Sequence, residues 1–337
     1  MRIGILGTGL IGTAMGLGWQ AAGHDVIGWD PDPAALRTAA ERGALVAGTS
    51  RNAVAEDVDV LVLAAPPGVV IATVSELDTH ALVVDVAGVK EPVAAASRLA
   101  RYVGTHPMAG REVSGPEAAT ASLFRGAAWV VVPGTASAAD LATVEHLITS
   151  LGARPVQMSA ASHDIAVAAI SHLPQLLAST LMNEAADRTD ALELVAGSFR
   201  DLTRVAASDP GNWVDVLAAN RGPLLEVLEE FLDRLRSLTD AVAAGDRVAV
   251  ADVLGRAQHE RLTLGPQTVG VRIALADEPG ELARVGRAFE HAGVDVRDLQ
   301  LRHAPYGGGG VLTVSVRSGD EQAMRTAMQN EGLLLAE

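Results

Sequence analysis

The most constraining feature of this chain is a short apolar run, Arg2–Leu6, that ends directly on Gly7-Thr8-Gly9-Leu10-Ile11-Gly12 and passes into a helical pattern. The first glycine permits a tight turn, the second lets a phosphate reach the backbone, and the third lets helix and strand pack closely. The helix N-terminus then offers free amides and the positive end of its dipole to a diphosphate. Asp30 closes the next apolar run, Asp25–Trp29, where its carboxylate would accept from ribose hydroxyls and repel a 2′-phosphate. Pro31, Asp32 and Pro33 follow it with no arginine, so the expected cofactor is NAD and not NADP. Gly7, Gly9, Leu10, Ile11, Gly12 and Asp30 are the expected cofactor residues. Ala65 and Pro66 after the fourth strand, and Gly88 after the fifth, would line the same pocket.

The wider pattern agrees. Arg2–Leu6, Asp25–Trp29, Asp59–Ala64, Ala81–Val86 and Ala127–Val132 are branched apolar runs, with helix-like stretches at Leu10–Ala22, Pro33–Arg42 and Glu91–Arg101 between them. Such alternation predicts a Rossmann-type, doubly wound parallel sheet covered on both faces, over residues 1–160, with a last strand near Arg154–Met158. Strand signals then stop for about a hundred residues, and the 3.6-residue period takes over. Leu224, Leu225, Val227, Leu228, Phe231, Leu232, Leu235 and Leu238 make one broad stripe. An all-α substrate and dimerisation domain is expected over 161–265, its surplus apolar face pointing to a homodimer. After Gly265–Pro266 the order becomes strand, helix, strand, glycine turn at Gly307–Gly310, strand, helix, strand. This βαββαβ order over 269–337 is that of a ferredoxin-like unit.

Composition narrows the partners. A formal charge of -15 argues against nucleic acid and against an anionic membrane surface. Any anionic substrate must be held by local arginines or helix N-termini. There is no cysteine, which removes disulfides, thiolate zinc sites and thiol nucleophiles; no metal set is expected, and a cytoplasmic location is the simplest reading. The longest apolar stretch, Ile165 to Met182, carries Ser171, His172 and Pro174 and reads as a buried helix, not a membrane span. Of 26 basic residues only Lys90 is lysine, which suggests a place where an ammonium is wanted over a guanidinium.

Four local sequences carry chemistry. Thr105-His106-Pro107-Met108-Ala109-Gly110-Arg111-Glu112 and Asp85-Val86-Ala87-Gly88-Val89-Lys90 leave strands at the edge where α/β sheets hold ligands. His163-Asp164 and Ser171-His172-Leu173-Pro174 open the helical part. Phe199-Arg200-Asp201-Leu202-Thr203-Arg204 precedes Ser208-Asp209-Pro210 and Trp213. In this order the set resembles the prephenate and arogenate dehydrogenase family, over nearly all of residues 1–265. The C-terminal unit resembles an ACT domain, with Asp277-Glu278-Pro279-Gly280 at its first turn.

The resemblance implies NAD-dependent oxidative decarboxylation of prephenate to 4-hydroxyphenylpyruvate, in tyrosine biosynthesis. A hydride leaves the ring carbon that bears the hydroxyl, the hydroxyl proton must be accepted, and carbon dioxide departs as the ring becomes aromatic. A neutral imidazole suits that proton, and His106 matches the family's catalytic histidine. The resemblance makes His172 a hydrogen-bond donor in the substrate pocket. Arg204 would clamp a substrate carboxylate bidentately, and Arg200 is either a second clamp or an ion-pair partner of Asp201 or Glu112. Glu112 and Trp213 are expected as pocket walls. Lys90 falls on the lysine of the family's DxxSxK element and is expected near substrate, but Gly88 stands where that element has serine. A water or another hydroxyl (Ser114) takes the serine's place, or the hydroxyl is dispensable.

The alternatives are arogenate as substrate, a β-hydroxyacid-type dehydrogenase, and a non-catalytic NAD- or tyrosine-sensing module. The second would place a catalytic lysine on a helix of its second domain, where this chain has none. The ACT-like unit makes tyrosine an expected effector in either catalytic reading.

Overall fold

The computed structural model describes residues 1–337 apart from 57, 111–112, 189, 264–267, 304–308 and 337. The chain forms two compact units, Met1–Asp233 and Arg234–Glu337. The division between these compact units falls inside a helix. The first helices after residue 160 pack on the sheet domain: the helix from Ala160 lies against that from Glu91, and the one from Pro210 against that from Pro67.

In the first unit, β1 (Arg2–Leu6), α1 (Leu10–Ala21), β2 (Asp25–Trp29), α2 (Pro33–Glu41), β3 (Val46–Ala47), α3 (Arg51–Ala55), β4 (Val60–Leu63), α4 (Pro67–Glu76), β5 (Leu82–Asp85), α5 (Glu91–Ala96) and β6 (Tyr102–Pro107) alternate. They continue into β7 (Ala128–Val132), α6 (Ala138–Ser150) and β8 (Arg154–Gln157). The sheet order is β3-β2-β1-β4-β5-β6-β7-β8. All four residues of β4 and of β5 are buried, as strands covered on both faces must be. One core lies around Ile3, Ile5, Met15, Trp19 and Trp129, and the other around Leu61, Leu63, Val70 and Val83. Helix starts follow local chemistry: Asp32 accepts from Ala34 N at 2.8 Å ahead of Pro33, and Ser50 accepts from Ala53 N at 3.1 Å.

The sheet is not wholly parallel, which corrects the expectation. β7 runs antiparallel to β6, and β8 is parallel to β7. Among its described residues the link between β6 and β7 carries a single 3₁₀ turn, Pro116–Ala118, and no crossover helix, so the chain returns from the edge it has just reached. That return places residues 113–115 over the C-terminal edge of the strands.

The rest of this unit is helical: α7 (Ala160–Val167), a π turn at Ala168–His172, α8 (Leu173–Ala186), α9 (Gly197–Thr203), a 3₁₀ turn at Arg204–Ala207, α10 (Pro210–Ala219) and the start of α11 (Arg221–Ala243). Pro174 has no N–H to give the preceding turn, and the wider π turn directly before it accommodates the break. Ala160–Ala186 is apolar and long enough to cross a membrane by length and composition alone. Its polar groups His163, Asp164, His172 and Gln175 face inward and are buried, while Ile165, Ile170, Leu177 and Leu181 are exposed. The expectation of a buried helix therefore holds for one face only. The Leu224–Leu238 stripe is similar: Leu224 is buried, but Leu225, Leu232 and Leu235 remain exposed within the chain.

The second unit contains the end of α11, α12 (Arg247–Thr263), β9 (Thr268–Leu275), α13 (Glu281–Ala292), β10 (Val296–His303), β11 (Gly310–Arg317), α14 (Glu321–Asn330) and β12 (Leu334–Leu335). Its small antiparallel sheet has the order β10-β11-β9-β12. Alternate residues Val271, Ile273, Leu312 and Val314 face α13 and α14 through Val285, Met324 and Met328. Half of the expected glycine turn, residues 307 and 308, lies outside the described residues.

Candidate active site

The glycine triplet behaves as its spacing predicts. Gly7 has φ +103°, and a Cβ there would lie 2.2 Å from the Ala64 carbonyl oxygen. At Gly12 a Cβ would lie 2.0 Å from the Gly7 carbonyl oxygen, so helix and turn touch. Gly9 has no atom within 4 Å of that position, so its backbone is open to a ligand. Beside the triplet, a cleft of about 440 Å³ is lined by Gly7, Gly9, Asp30, Arg51, Ala65 and Pro66, among others. Asp30 braces the turn: Oδ2 accepts from Thr8 N at 2.6 Å, and Oδ1 accepts from Asp32 N at 2.9 Å.

A second cleft of about 520 Å³ shares Gly9, Ala65 and Pro66 with the first and adds Leu10, Ile11, Gly88, Ser114, Ser208, Asp209 and Trp213. The groove thus runs from Asp30 past the open backbone of Gly9 to the end of β5.

Beside Gly88, which lines the second cleft, His106 sits at the C-terminal end of β6. A Cβ on Gly88 would lie 3.8 Å from His106 Nε2, so this nitrogen faces Gly88. The other nitrogen, Nδ1, is 2.9 Å from His163 Nε2, and the rings meet edge to face. His163 Nδ1 in turn lies 2.7 Å from Asp164 Oδ1. Asp164 also accepts from Lys90 N at 2.7 Å and from Glu91 N at 2.8 Å, where α5 begins. Burial works to raise the Asp164 carboxyl, but the hydrogen bonds from His163, Glu91 and Lys90 outweigh it and hold the group below its ordinary value. Burial drives His106 well below the ordinary histidine value, helped by the charges of His163, Lys90 and His172.

His172, on the π turn, is buried beside Trp213, with ring centroids 6.1 Å apart. Its Nδ1 lies 3.1 Å from Asn220 Nδ2, which also donates to the Asp164 carbonyl at 2.8 Å. Burial pushes its pKa down to about 4, against the pull of Asp164.

Lys90 is not where the sequence placed it. Its side chain is 1% exposed, and the ammonium pairs with Asp85 and donates to the Thr105 carbonyl at 2.6 Å. It is thus a buried strut beneath His106. Arg200 and Arg204 lie exposed on α9 and the following 3₁₀ turn, and neither lines the groove. Glu112 lies outside the described residues. Ser114 and Trp213 do line the second cleft beside Gly88, as expected.

Sequence reasoning missed three groups. Asn220 stands 56 residues from its Asp164 partner, and no spacing announces it. Arg51 reaches the Asp30 cleft from α3, although no arginine follows Asp30 in sequence. Asp85 was legible in principle: an acid ending an otherwise apolar strand, five residues before the only lysine.

The chain is similar to known proteins over most of its length. Residues 15–157 match the family model for the prephenate dehydrogenase nucleotide-binding domain, and residues 159–256 match that for its dimerization domain. The chain is 34% identical to "Probable prephenate dehydrogenase NovF" of Streptomyces niveus, covering 94% of each chain. It is 30% identical to the prephenate dehydrogenase of Lactococcus lactis, over 84% of this chain and 85% of that one. Among solved structures, Synechocystis arogenate dehydrogenase superposes with a TM-score of 0.66 at 27% identity, over 77% of this chain and 99% of that one. Together the two models span most of the sequence, and the chain belongs to the prephenate dehydrogenase family, an NAD-dependent group of oxidoreductases.

Proposed function

We propose that this enzyme converts prephenate to 4-hydroxyphenylpyruvate and carbon dioxide with NAD. The observation that carries the reading is the placement of His106 Nε2 opposite Gly88, a residue that lines the cleft continuous with the glycine turn. NAD, when bound in this groove, supplies the hydride acceptor. His106 accepts the proton of the substrate hydroxyl at Nε2. Its depressed pKa keeps that nitrogen unprotonated near neutral pH, and such a base contributes roughly 10²–10⁴-fold. Trp213 walls the cleft above His172.

Arg204 is the cation proposed for the pyruvyl carboxylate, four residues before Ser208 at the cleft wall; Arg200 is its candidate second clamp. Holding the ring carboxylate tightly would stabilise the charge that decarboxylation removes, so that group is better left weakly bound.

One observation favours arogenate as a second reading. Asp209 lines the cleft and would offer a carboxylate to arogenate's ammonium group, although its Oδ1 already caps α10 through Gly211 N at 2.9 Å. Following NADH formation with prephenate and arogenate offered separately, with His106→Asn as control, decides between them. Turnover of prephenate that is lost in the variant supports the main reading. Turnover of arogenate alone moves the substrate, and turnover of neither rejects the enzyme reading in favour of a sensor.

We further propose that the chain is a cytoplasmic homodimer, the uncovered Leu225, Leu232 and Leu235 supporting a second copy. The C-terminal unit is read as ACT-like and ferredoxin-like, supported by its βαββαβ order and its β10-β11-β9-β12 sheet. Tyrosine is its proposed effector. If tyrosine neither inhibits turnover nor shifts the thermal midpoint, that assignment fails and the catalytic one stands.

A further inference from the structure

We propose that Asp164 and Asn220 are positioning residues that set opposite tautomers on the two histidines of the site. His106 is held with Nε2 as proton acceptor, and His172 with Nε2 as hydrogen-bond donor.

The argument starts at the Asp164 carboxylate. Three donors converge on it: Lys90 N and His163 Nδ1 on Oδ1, and Glu91 N on Oδ2. An ionised carboxylate can only accept, so His163 Nδ1 must carry a hydrogen. A neutral imidazole has one N–H, which leaves His163 Nε2 as an acceptor. Its partner at 2.9 Å, His106 Nδ1, must therefore donate. The remaining nitrogen of His106 is then a bare lone pair, and it is the one facing Gly88.

The second chain of bonds starts from the same residue. The Asp164 backbone carbonyl accepts at 2.8 Å from Asn220, and because a carbonyl cannot donate, this contact fixes which end of the amide is nitrogen. The same Nδ2 reaches His172 Nδ1 at 3.1 Å. That ring nitrogen must accept, so the His172 proton sits on Nε2. One buried node thus prepares an acceptor to take a hydroxyl proton and a donor to hold an oxygen. The use made of the acceptor rests on the reading of His106 as the base; the tautomers themselves do not.

The test is nitrogen NMR of the full-length, ligand-free protein labelled with ¹⁵N-histidine near neutral pH, with signals assigned through His106→Asn and His172→Asn. The expected result is a protonated Nδ1 with a bare Nε2 on His106, and the reverse on His172. The same tautomer on both rings, or a doubly protonated His163, overturns the proposal.

Kinetics give the second arm. His163→Gln can keep an acceptor opposite His106 Nδ1, whereas His163→Leu cannot. The leucine variant is expected to lose kcat by about 10²-fold or more, with the KM for NAD unchanged, and glutamine to restore most of it. Equal losses in both variants, or a KM for NAD that moves with kcat, would reduce His163 to a packing role and overturn the proposal. Should the NMR pattern hold in a protein that turns over neither prephenate nor arogenate, the tautomers stand and only the base reading falls.

Discussion

Lys90 Nζ donates to the Thr105 carbonyl at 2.6 Å, and the next residue along the chain is His106. The same ammonium pairs with Asp85, whose carboxylate also accepts from Ala87 N at 2.8 Å and from the Tyr102 hydroxyl at 2.6 Å. Burial lowers the Lys90 pKa, with Asp85 opposing, and burial first, then Asp85, raises that of the Tyr102 phenol. The cluster fixes the strand end that presents His106, around a compact ammonium that is 1% exposed.

Replacing Lys90 should therefore be costly even when charge is kept. Lys90→Met leaves Asp85 buried without its cation, a loss of about 3–5 kcal/mol. Lys90→Arg overpacks the same site and should lose about 1–3 kcal/mol. Urea unfolding midpoints measure both. An arginine variant that unfolds with the parent would show that the chain's single lysine has no steric reason to be there.

The alternating segments were legible because buried parallel strands leave a continuous apolar signature, and β1 and β2 match their expected limits to the residue. The glycine triplet was legible because each glycine answers a separate steric demand. The reversal at β7 was not, since a strand's apolar pattern carries no direction. His106 and His172 could be picked out by type and place, but their partners could not. Asn220 meets Asp164 and His172 only because α10 ends where α7 begins to pack, a tertiary fact with no local trace. Lys90 was singled out correctly as unusual and assigned to the wrong surroundings, because composition marks a residue without saying which way it points.

Cofactor choice gives a second prediction. Asp30 lines the first cleft together with Arg51. Asp30→Ser removes a charged acceptor and should weaken NAD binding by about 10–100-fold, from roughly 1.5–3 kcal/mol of lost hydrogen bonding. NADP should gain relative to NAD, because the repulsion is gone and a guanidinium is already in the cleft. Arg51→Ala in the Asp30→Ser background should then erase the NADP gain. Titrations of both cofactors against the three proteins check this; an unchanged NAD-to-NADP ratio in Asp30→Ser means another group reads the ribose.

Acid should act on this site in a definite direction. His172 is held down to about 4 against an ordinary value of 6.5, and His106 lies well below 6.5. Unfolded histidines take up protons near that ordinary value while the folded site refuses them. The unfolded state therefore binds more protons as pH drops below it, and stability falls from there down towards the folded values. These groups are neutral above that window and contribute no further change there. The base, unprotonated throughout the neutral range, should give a kcat/KM profile that stays level at neutral pH and falls only on the acid side of 6.5. Thermal midpoints across pH, with His172→Asn as comparison, should show a shallower acid decline in the variant. An acid limb at or above the ordinary histidine value would contradict the lowered pKa and neutral state of His106.

Gly88 supplies the last prediction. A Cβ there meets nothing closer than His106 Cε1 and Nε2 at 3.8 Å and Val216 Cγ1 at 4.0 Å, so serine fits without strain and its hydroxyl comes within reach of the base. Ser114 lines the same cleft, as does Ser208, and is the hydroxyl singled out by the sequence. If it fills the role, Ser114→Ala should lower kcat by about 2–10-fold, the range of one neutral hydrogen bond. Gly88→Ser should keep or modestly raise kcat, and in its background Ser114→Ala should cost almost nothing. Such non-additivity is what two hydroxyls serving one nitrogen produce, whereas independent groups give additive losses. Steady-state kcat for the four proteins decides the matter: additive effects would separate Ser114 from His106, and a harmful Gly88→Ser would mean that the space beside Nε2 is needed by the substrate itself.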